Sequence, residues 1–586
     1  MNIVADKTNQ NYVYKCYLIL IIILIVIAVS LKGVFNGNLI TYSPEELHFY
    51  DNSLFTHNLD VMLNEHSISP RMSSLFVFSI LMGSGLSYES SYLVIYAITC
   101  FLTSFALFIY AKKEFEPDRP IATILLTFLI VSSSVGISAS FYTFQPNSLF
   151  LGLGTAFFTI ALVCLLLQDK EKCLYLPYLF VSLAALSHIH EGIWGFVIIS
   201  LIAIYKYGIK IIWNYSPYIA IIVILCLTIP SILTSDVAAN PELLYEKYVK
   251  IRVPHHLYFW QSFPIKTLES IIKFVLITYI IKLYGPGNKD IKLCYYAICF
   301  FLCLTVVWFV TYELMHSTFF IKMYIPKCFK NVNILFTLLL CKYLSKENKS
   351  LPLLYLISCT LLAHYYWAIV LLVFIVMIKS NLSDKIKSII WITLSMIPII
   401  MSLSNQINTA HLVVSFVVLI LLVFKKYSLP IIPIVIGCYL ILFLWSVNKP
   451  GLNIADSIMS YRVGRPLYYF AKSVSAIVPK ESVILMDNKS SKSGFIQHIA
   501  RRDAYILYKS APSNEKGIEI WYNRNEELNK FRSLSASQFM GFMKEKDLRY
   551  LIVERERYNA TFDPYFSKKV FNDAFVLLEL KNENMI

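Results

Sequence analysis

Two polar stretches in an otherwise apolar chain hold the residue types that acid–base and phosphate chemistry require. Residues 34–72 carry Glu45, Glu46, Asp51 and Asp60 with His48, His57 and His66, and residues 234–264 carry Arg252, His255 and His256. A carboxylate held at a membrane surface can take a proton from an acceptor hydroxyl, as a general base must. Carboxylate oxygens also suit Mg²⁺ or Mn²⁺, so a divalent cation held by an acid of the first stretch belongs to the expectation. Arg252, His255 and His256 have the chemistry to receive a phosphate leaving group, Arg through two parallel bonds, as negative charge develops on it. If both stretches face one side of a bilayer, acid and base chemistry converge at one surface.

Each of these groups also has a plainer reading. Pro44 suits a first helical turn and Glu45 and Glu46 a helix N-terminus, so the acids also fit a capped interfacial helix with solvated carboxylates. Arg252-Val253-Pro254-His255-His256 also fits a loop at the lipid headgroups. His188-Ile189-His190-Glu191-Gly192 interrupts an apolar run, and ionisable groups at that depth face a cavity or the protein interior. His188 and Glu191 share a face if the helix continues through them. The spacing fails the metalloprotease pattern, and contact with a sugar, or ordering of the acidic loop, is the expected role. Lys322, with Lys327 and Lys330 after it, lies in a segment read as an outer loop able to hold a lipid phosphate. His364-Tyr365-Tyr366-Trp367 reads as an interfacial aromatic belt, and Asp487, Trp521 and Arg524 as fold residues or glycan ligands.

The elements that must position these residues are membrane spans. The chain is 57% hydrophobic and 15% charged, a composition that no soluble chain of this size keeps. At roughly 20 apolar residues per crossing, it offers about 13–15 spans. The net charge of +15 comes from Lys between apolar runs, as in cytoplasmic loops, so no nucleic-acid partner is expected. The 12 Cys lie in or beside apolar runs without zinc spacing, which argues against disulfides and structural zinc. Residues 17–31 read as an uncleaved anchor. Lys7 and Lys15 place the N-terminus inside, residues 34–90 then form the first outer loop, and residues 234–264 the second. Residues 73–85 are apolar but short and are expected to lie along the membrane. Two short helices, 174–187 and 193–205, flank His188, His190 and Glu191. An odd span count puts the tail outside. Residues 1–449 are thus read as the polytopic domain and 450–586 as a small soluble α/β domain, with strands at 483–487, 504–508 and 550–554 and an amphipathic helix at 537–546.

Glu45-Glu46-x-x-Phe49-Tyr50, an acidic pair followed by aromatics just after the first span, resembles the first-loop motif of GT-C glycosyltransferases, where Asp-Glu or Asp-x-Asp is usual. The layout resembles that family too: a long first outer loop, many spans and an outer C-terminal domain. The resemblance implies an inverting transferase in the cell (inner or plasma) membrane. It would move a sugar from a polyprenyl-phosphate-linked donor to a cell-envelope glycan or lipid acceptor. Glu46, or Glu45, would be base or metal ligand, with Asp51 a further candidate. Two other readings stay open: a polysaccharide polymerase or ligase of the O-antigen kind, and a flippase or transporter of lipid-linked glycans. Against the transporter stand the lack of a repeat and spans nearly devoid of charge.

Overall fold

The computed structural model describes residues 15–115, 149–345 and 428–581 apart from short interruptions, with isolated positions inside 123–130 and 372–386. His255, His256 and the aromatic string at 364–367 lie outside the described residues. The chain divides into two compact units. The first comprises Met1–Gly33, Ile95–Cys226 and Pro254–Ser446, the second Val34–Val94, Leu227–Val253 and Val447–Ile586.

The first unit is helical and built to sit in a bilayer. Among the described residues of the whole chain, the helices Tyr88–Glu114, Phe150–Leu167, Ile189–Tyr207 and Lys289–Leu314 are long and apolar enough to cross a bilayer, and shorter apolar helices accompany them. This is a multi-pass membrane protein. Helix Cys328–Leu344 is buried on nearly every side because it packs against four neighbours: Leu149–Leu167, Ile189–Tyr207, Leu268–Tyr284 and Lys289–Trp308. A helix buried all round needs partners for its polar groups. Asn333 accepts from Lys273 Nζ at 2.8 Å, and Tyr110 donates to the Leu338 carbonyl at 3.0 Å.

Helices Tyr175–Ser187 and Ile189–Tyr207 meet at His188, whose extended backbone ends one and starts the other. The helix therefore does not continue through the His-Ile-His-Glu string: His190 and Glu191 belong to the second helix, which begins four residues earlier than its expected start. Gly192 lets the two helices close. A Cβ there would sit 2.2 Å from the Ala185 Cβ and 2.4 Å from its Cα, backbone that cannot yield, in the manner of small-residue packing between membrane helices. Gly192→Ala should therefore lower stability by about 1–3 kcal/mol. Thermal unfolding of the detergent-purified variant checks this, and a midpoint equal to wild type would mean the helices are not that close.

The second unit holds a five-stranded sheet of order β2-β1-β3-β5-β4. β1 (Val483–Leu485) lies parallel to β2 (Asp503–Ala504) and β3 (Tyr550–Glu554), while β5 (Phe575–Leu580) runs antiparallel to β3 and to β4 (Phe566–Phe571). Helix Ala536–Glu545 starts at a capping box made by Ser535 and Gln538, which satisfies two orphan backbone donors. Its Ala536, Phe539 and Met543 enter a core shared with Leu485, Leu551 and Val576. Leu59, from the first polar stretch, is buried in that same core, with Leu63 against it. The first loop thus packs as part of the fold that carries the C-terminal sheet.

The loop's opening helix, Leu39–Tyr50, starts earlier than Pro44 suggests and holds that proline inside it. Leu39 and Ile40 are buried, and this apolar anchoring extends the helix N-terminally despite the donor that proline lacks. Helix Met72–Gly83 packs against it through Ser74, Leu75, Phe78 and Met82, leaving Phe76, Val77 and Ile80 exposed.

Candidate functional site

Glu45 and Glu46 are not solvated acids at a helix start: they are 7% and 3% exposed in the middle of Leu39–Tyr50. Burying a carboxylate is unfavourable unless donors meet it, and Tyr88 supplies one, its hydroxyl donating to Glu46 Oε2 at 2.5 Å. Asp51 is used differently. Its Oδ1 accepts from the Ser53 hydroxyl at 2.6 Å and from the Ser53 backbone N–H at 3.0 Å, and Lys480 stands 3.6 Å from Oδ2. The Ser53 hydroxyl above all holds the Asp51 carboxyl below its ordinary range. This is a surface turn.

Around Tyr88 lies a buried network from helix Ser491–Ala500 and the residue that ends it. His498 Nε2 lies 3.3 Å from Glu89 Oε1, and Arg501 Nη2 donates to the same oxygen at 2.6 Å. Burial, and then the Arg501 charge, push His498 down to about 4. The ring is therefore neutral at physiological pH, and its bonds assign the proton. Nε2–H faces Glu89, and Nδ1 accepts from the Ser43 hydroxyl at 2.8 Å and from Arg501 Nη1 at 3.0 Å. The His498 ring meets Tyr88 edge-on at 5.3 Å, the Arg501 guanidinium sits 5.5 Å from the Tyr88 ring centroid, and Phe78 stacks on that ring.

Asp503, fully buried at the start of β2, accepts from the His57 backbone N–H at 2.8 Å. Its other oxygen has no hydrogen-bond partner among the described residues. Burial pushes the carboxyl up to about 7. Between 3.8 and about 7 the folded carboxyl keeps a proton that the unfolded chain has released, so this group favours folding at low pH and the advantage fades as pH rises. His498 acts oppositely: between about 4 and 6.5 the unfolded ring binds a proton that the folded one refuses, and stability falls as pH drops below 6.5. Asp503→Asn should gain on wild type by on the order of 2–4 kcal/mol above pH 7 and by almost nothing near pH 4. Unfolding midpoints of both proteins across that range check this, and a difference that does not vary with pH would contradict it.

In the second polar stretch the π-helical segment Leu244–Arg252 packs on helix Glu515–Glu527, which also packs on Leu59–Asn64. One C-terminal helix thus seats both polar stretches. Arg252 Nη2 donates to the Lys509 carbonyl at 2.5 Å, its guanidinium lies 5.8 Å from the Tyr508 ring, and the Tyr508 hydroxyl donates to the Ile251 carbonyl. Arg252 Nε has no hydrogen-bond partner among the described residues. A fixed guanidinium with an uncommitted N–H is suited to an anionic oxygen.

The first unit gathers its own charged groups. Lys330 is not in a loop but inside helix Cys328–Leu344. Its amine lies 2.6 Å from Glu191 Oε1, with side chains 3% and 1% exposed, and donates to Thr155 Oγ1 at 2.8 Å. Beside them Lys327 Nζ donates to His188 Nε2 at 3.4 Å. His190 Nε2–H donates to the Lys322 carbonyl at 2.8 Å, and Trp194 Nε1 to that of Met323 at 3.0 Å. His188, His190 and Glu191 therefore hold the 322–330 segment, with Lys322 gripped through its backbone. Among the described residues no three His, Cys, Asp or Glu side chains gather as ligands of a metal ion.

No protein-family model matches the chain, and no curated protein matches it. Among solved structures it is similar to the crystal structure of ArnT from Cupriavidus metallidurans in the apo state, at 11% identity and a TM-score of 0.47, covering 94% of this chain and 96% of that one. It is similar as well to ArnT from the same organism bound to undecaprenyl phosphate, at 11% identity and a TM-score of 0.44, covering 96% and 97%. The described residues form a multi-pass helical membrane protein with a small C-terminal α/β fold.

Proposed function

We propose that this chain is an inverting glycosyltransferase of GT-C type. It takes a sugar from a polyprenyl-phosphate-linked donor and passes it to a cell-envelope glycan or lipid acceptor, at the outer face of the cell membrane with the C-terminal fold extracytoplasmic. Glu46 accepts the proton of the acceptor hydroxyl. The hydroxyl oxygen attacks the anomeric carbon from the side opposite the phosphate, and the bond from that carbon to the phosphate oxygen breaks. Polyprenyl phosphate leaves with the electron pair, its new charge met by Arg252, with His255 and His256 in the same loop as further donors.

The observation that carries this reading is Glu46 itself: a buried carboxylate on the first-loop helix, met by an oriented tyrosine donor, where a solvated acid would have no use for one. The test is release of polyprenyl phosphate from a polyprenyl-phosphate-linked sugar by the purified full-length protein. Release that requires an acceptor and falls in Arg252→Ala supports the reading. Release that ignores Arg252 removes it from the site, and no release with any donor overturns the reading.

A further inference from the structure

We propose that Arg501 and His498 of the C-terminal fold are positioning residues for Glu46, acting through Tyr88 and Ser43 without touching substrate. The proposal rests on the reading of Glu46 as the base.

The geometry is a chain of directed contacts. Tyr88 can present its hydroxyl to Glu46 only while its ring is held. Phe78 stacks on one side at 4.7 Å, and His498 and Arg501 bear on the ring from the C-terminal fold. These two are in turn fixed. Arg501 Nη2 and His498 Nε2–H share Glu89 Oε1, and Arg501 Nη1 donates to the His498 carbonyl at 2.8 Å. Ser43, which donates to His498 Nδ1, sits three residues before Glu46 on the same helix, so the C-terminal residues grip the carboxylate's own helix as well as its donor. Arg501 adopts a left-handed backbone, φ 55°, an uncommon conformation for a residue with a side chain. Position 501 thus ends the helix while sending its guanidinium back across it.

A second, independent contact fixes the two helices. A Cβ at Gly494 would meet Ile40 Cδ1 at 2.4 Å and Ile40 Cβ at 3.1 Å, so helix Ser491–Ala500 lies directly on helix Leu39–Tyr50. Glu89, Arg501 and the neutral His498 compose a largely buried polar network with every member engaged. Such networks specify one arrangement when satisfied, and here the arrangement fixed is the one that points Tyr88 at Glu46.

The experiment needs no knowledge of the donor. The probe is dicyclohexylcarbodiimide, which modifies protonated carboxyls in apolar surroundings, applied to the full-length protein in detergent and read at each carboxyl by mass spectrometry. A hydrogen bond donated to a carboxylate favours its ionised form, so losing the Tyr88 donor exposes Glu46 to the reagent. Arg501→Gln should speed Glu46 modification about tenfold, the value of a hydrogen bond to a charged group. His498→Phe, which keeps a ring beside Tyr88 but loses the ring's bonds to Glu89, Ser43 and Arg501, should act in the same direction. Arg501→Lys should fall between Arg501→Gln and wild type, and Asp51 and Asp60 should keep their wild-type rates throughout.

To guard against simple unfolding, the substitutions are repeated with a disulfide from Ile40→Cys and Gly494→Cys, whose Cβ atoms need to move apart by only a few tenths of an ångström to reach disulfide geometry. An unchanged Glu46 rate in both substitutions overturns the proposal. So does equal acceleration at Glu46, Asp51 and Asp60, which would mean general loosening. The rate of modification is read apart from sugar transfer. An active Glu46→Gln enzyme would therefore defeat the role of the base and leave the positioning result standing, and the reverse holds too.

Discussion

Glu46→Gln should slow sugar transfer by about 10²–10⁴-fold, the range lost when a positioned general base is removed, while the protein stays folded. Glutamine keeps the shape of the side chain, and its carbonyl can still accept from the Tyr88 hydroxyl that now reaches Glu46 Oε2. What it cannot do is take a proton. Initial rates of transfer, measured beside an unfolding curve for each protein, separate the two. A variant within about threefold of wild type, less than a single proton transfer contributes, would take Glu46 out of the chemistry. Glu45→Gln serves as the comparison, because Glu45 is its buried neighbour on the same helix.

The second large effect belongs to the helical unit. Lys330→Ala should destabilise the protein by about 3–5 kcal/mol, because it strands the Glu191 carboxylate in a buried position without its cation. Glu191→Ala should do the same in reverse. Lys330→Met combined with Glu191→Gln should recover most of the loss, since removing both charges also removes the need to pair them. Purified yield and unfolding midpoints of the singles and the double measure this coupling. A Lys330→Ala protein as stable as wild type would mean that water reaches the pair. This pairing also explains how Lys330 can sit in a helix interior where an isolated ammonium would be excluded.

Much of the architecture was legible because long apolar runs and short buried strands write themselves locally. β1 and β3 are contiguous apolar runs in the sequence, and helix Ala536–Glu545 shows an apolar stripe behind a serine cap. The β4–β5 hairpin was not legible. β4 is an edge strand with Lys568 and Lys569 exposed and a register shift between Lys568 and Val570, and charges and irregularities of this kind protect an edge while erasing the alternation that marks a strand.

The acidic helix is legible in its composition, but Pro44 points to a start later than Leu39, because proline signals a first turn only where nothing upstream is anchored. The network behind Glu46 left no trace in spacing. Ser43 and His498 are 455 residues apart, and Glu89 and Arg501 are 412 apart. Lysine marks a loop where it faces water, and that rule fails for Lys330, whose partner Glu191 lies on another helix.

The measurement that tests the central claim most directly follows a labelled polyprenyl-phosphate-linked sugar in sealed proteoliposomes containing the wild-type protein and an acceptor. The account predicts a covalent product carrying the labelled sugar, with one polyprenyl phosphate released for each sugar transferred. Movement of the intact lipid-linked sugar across the bilayer, with its bond to phosphate unbroken, would contradict it and leave a transporter in its place.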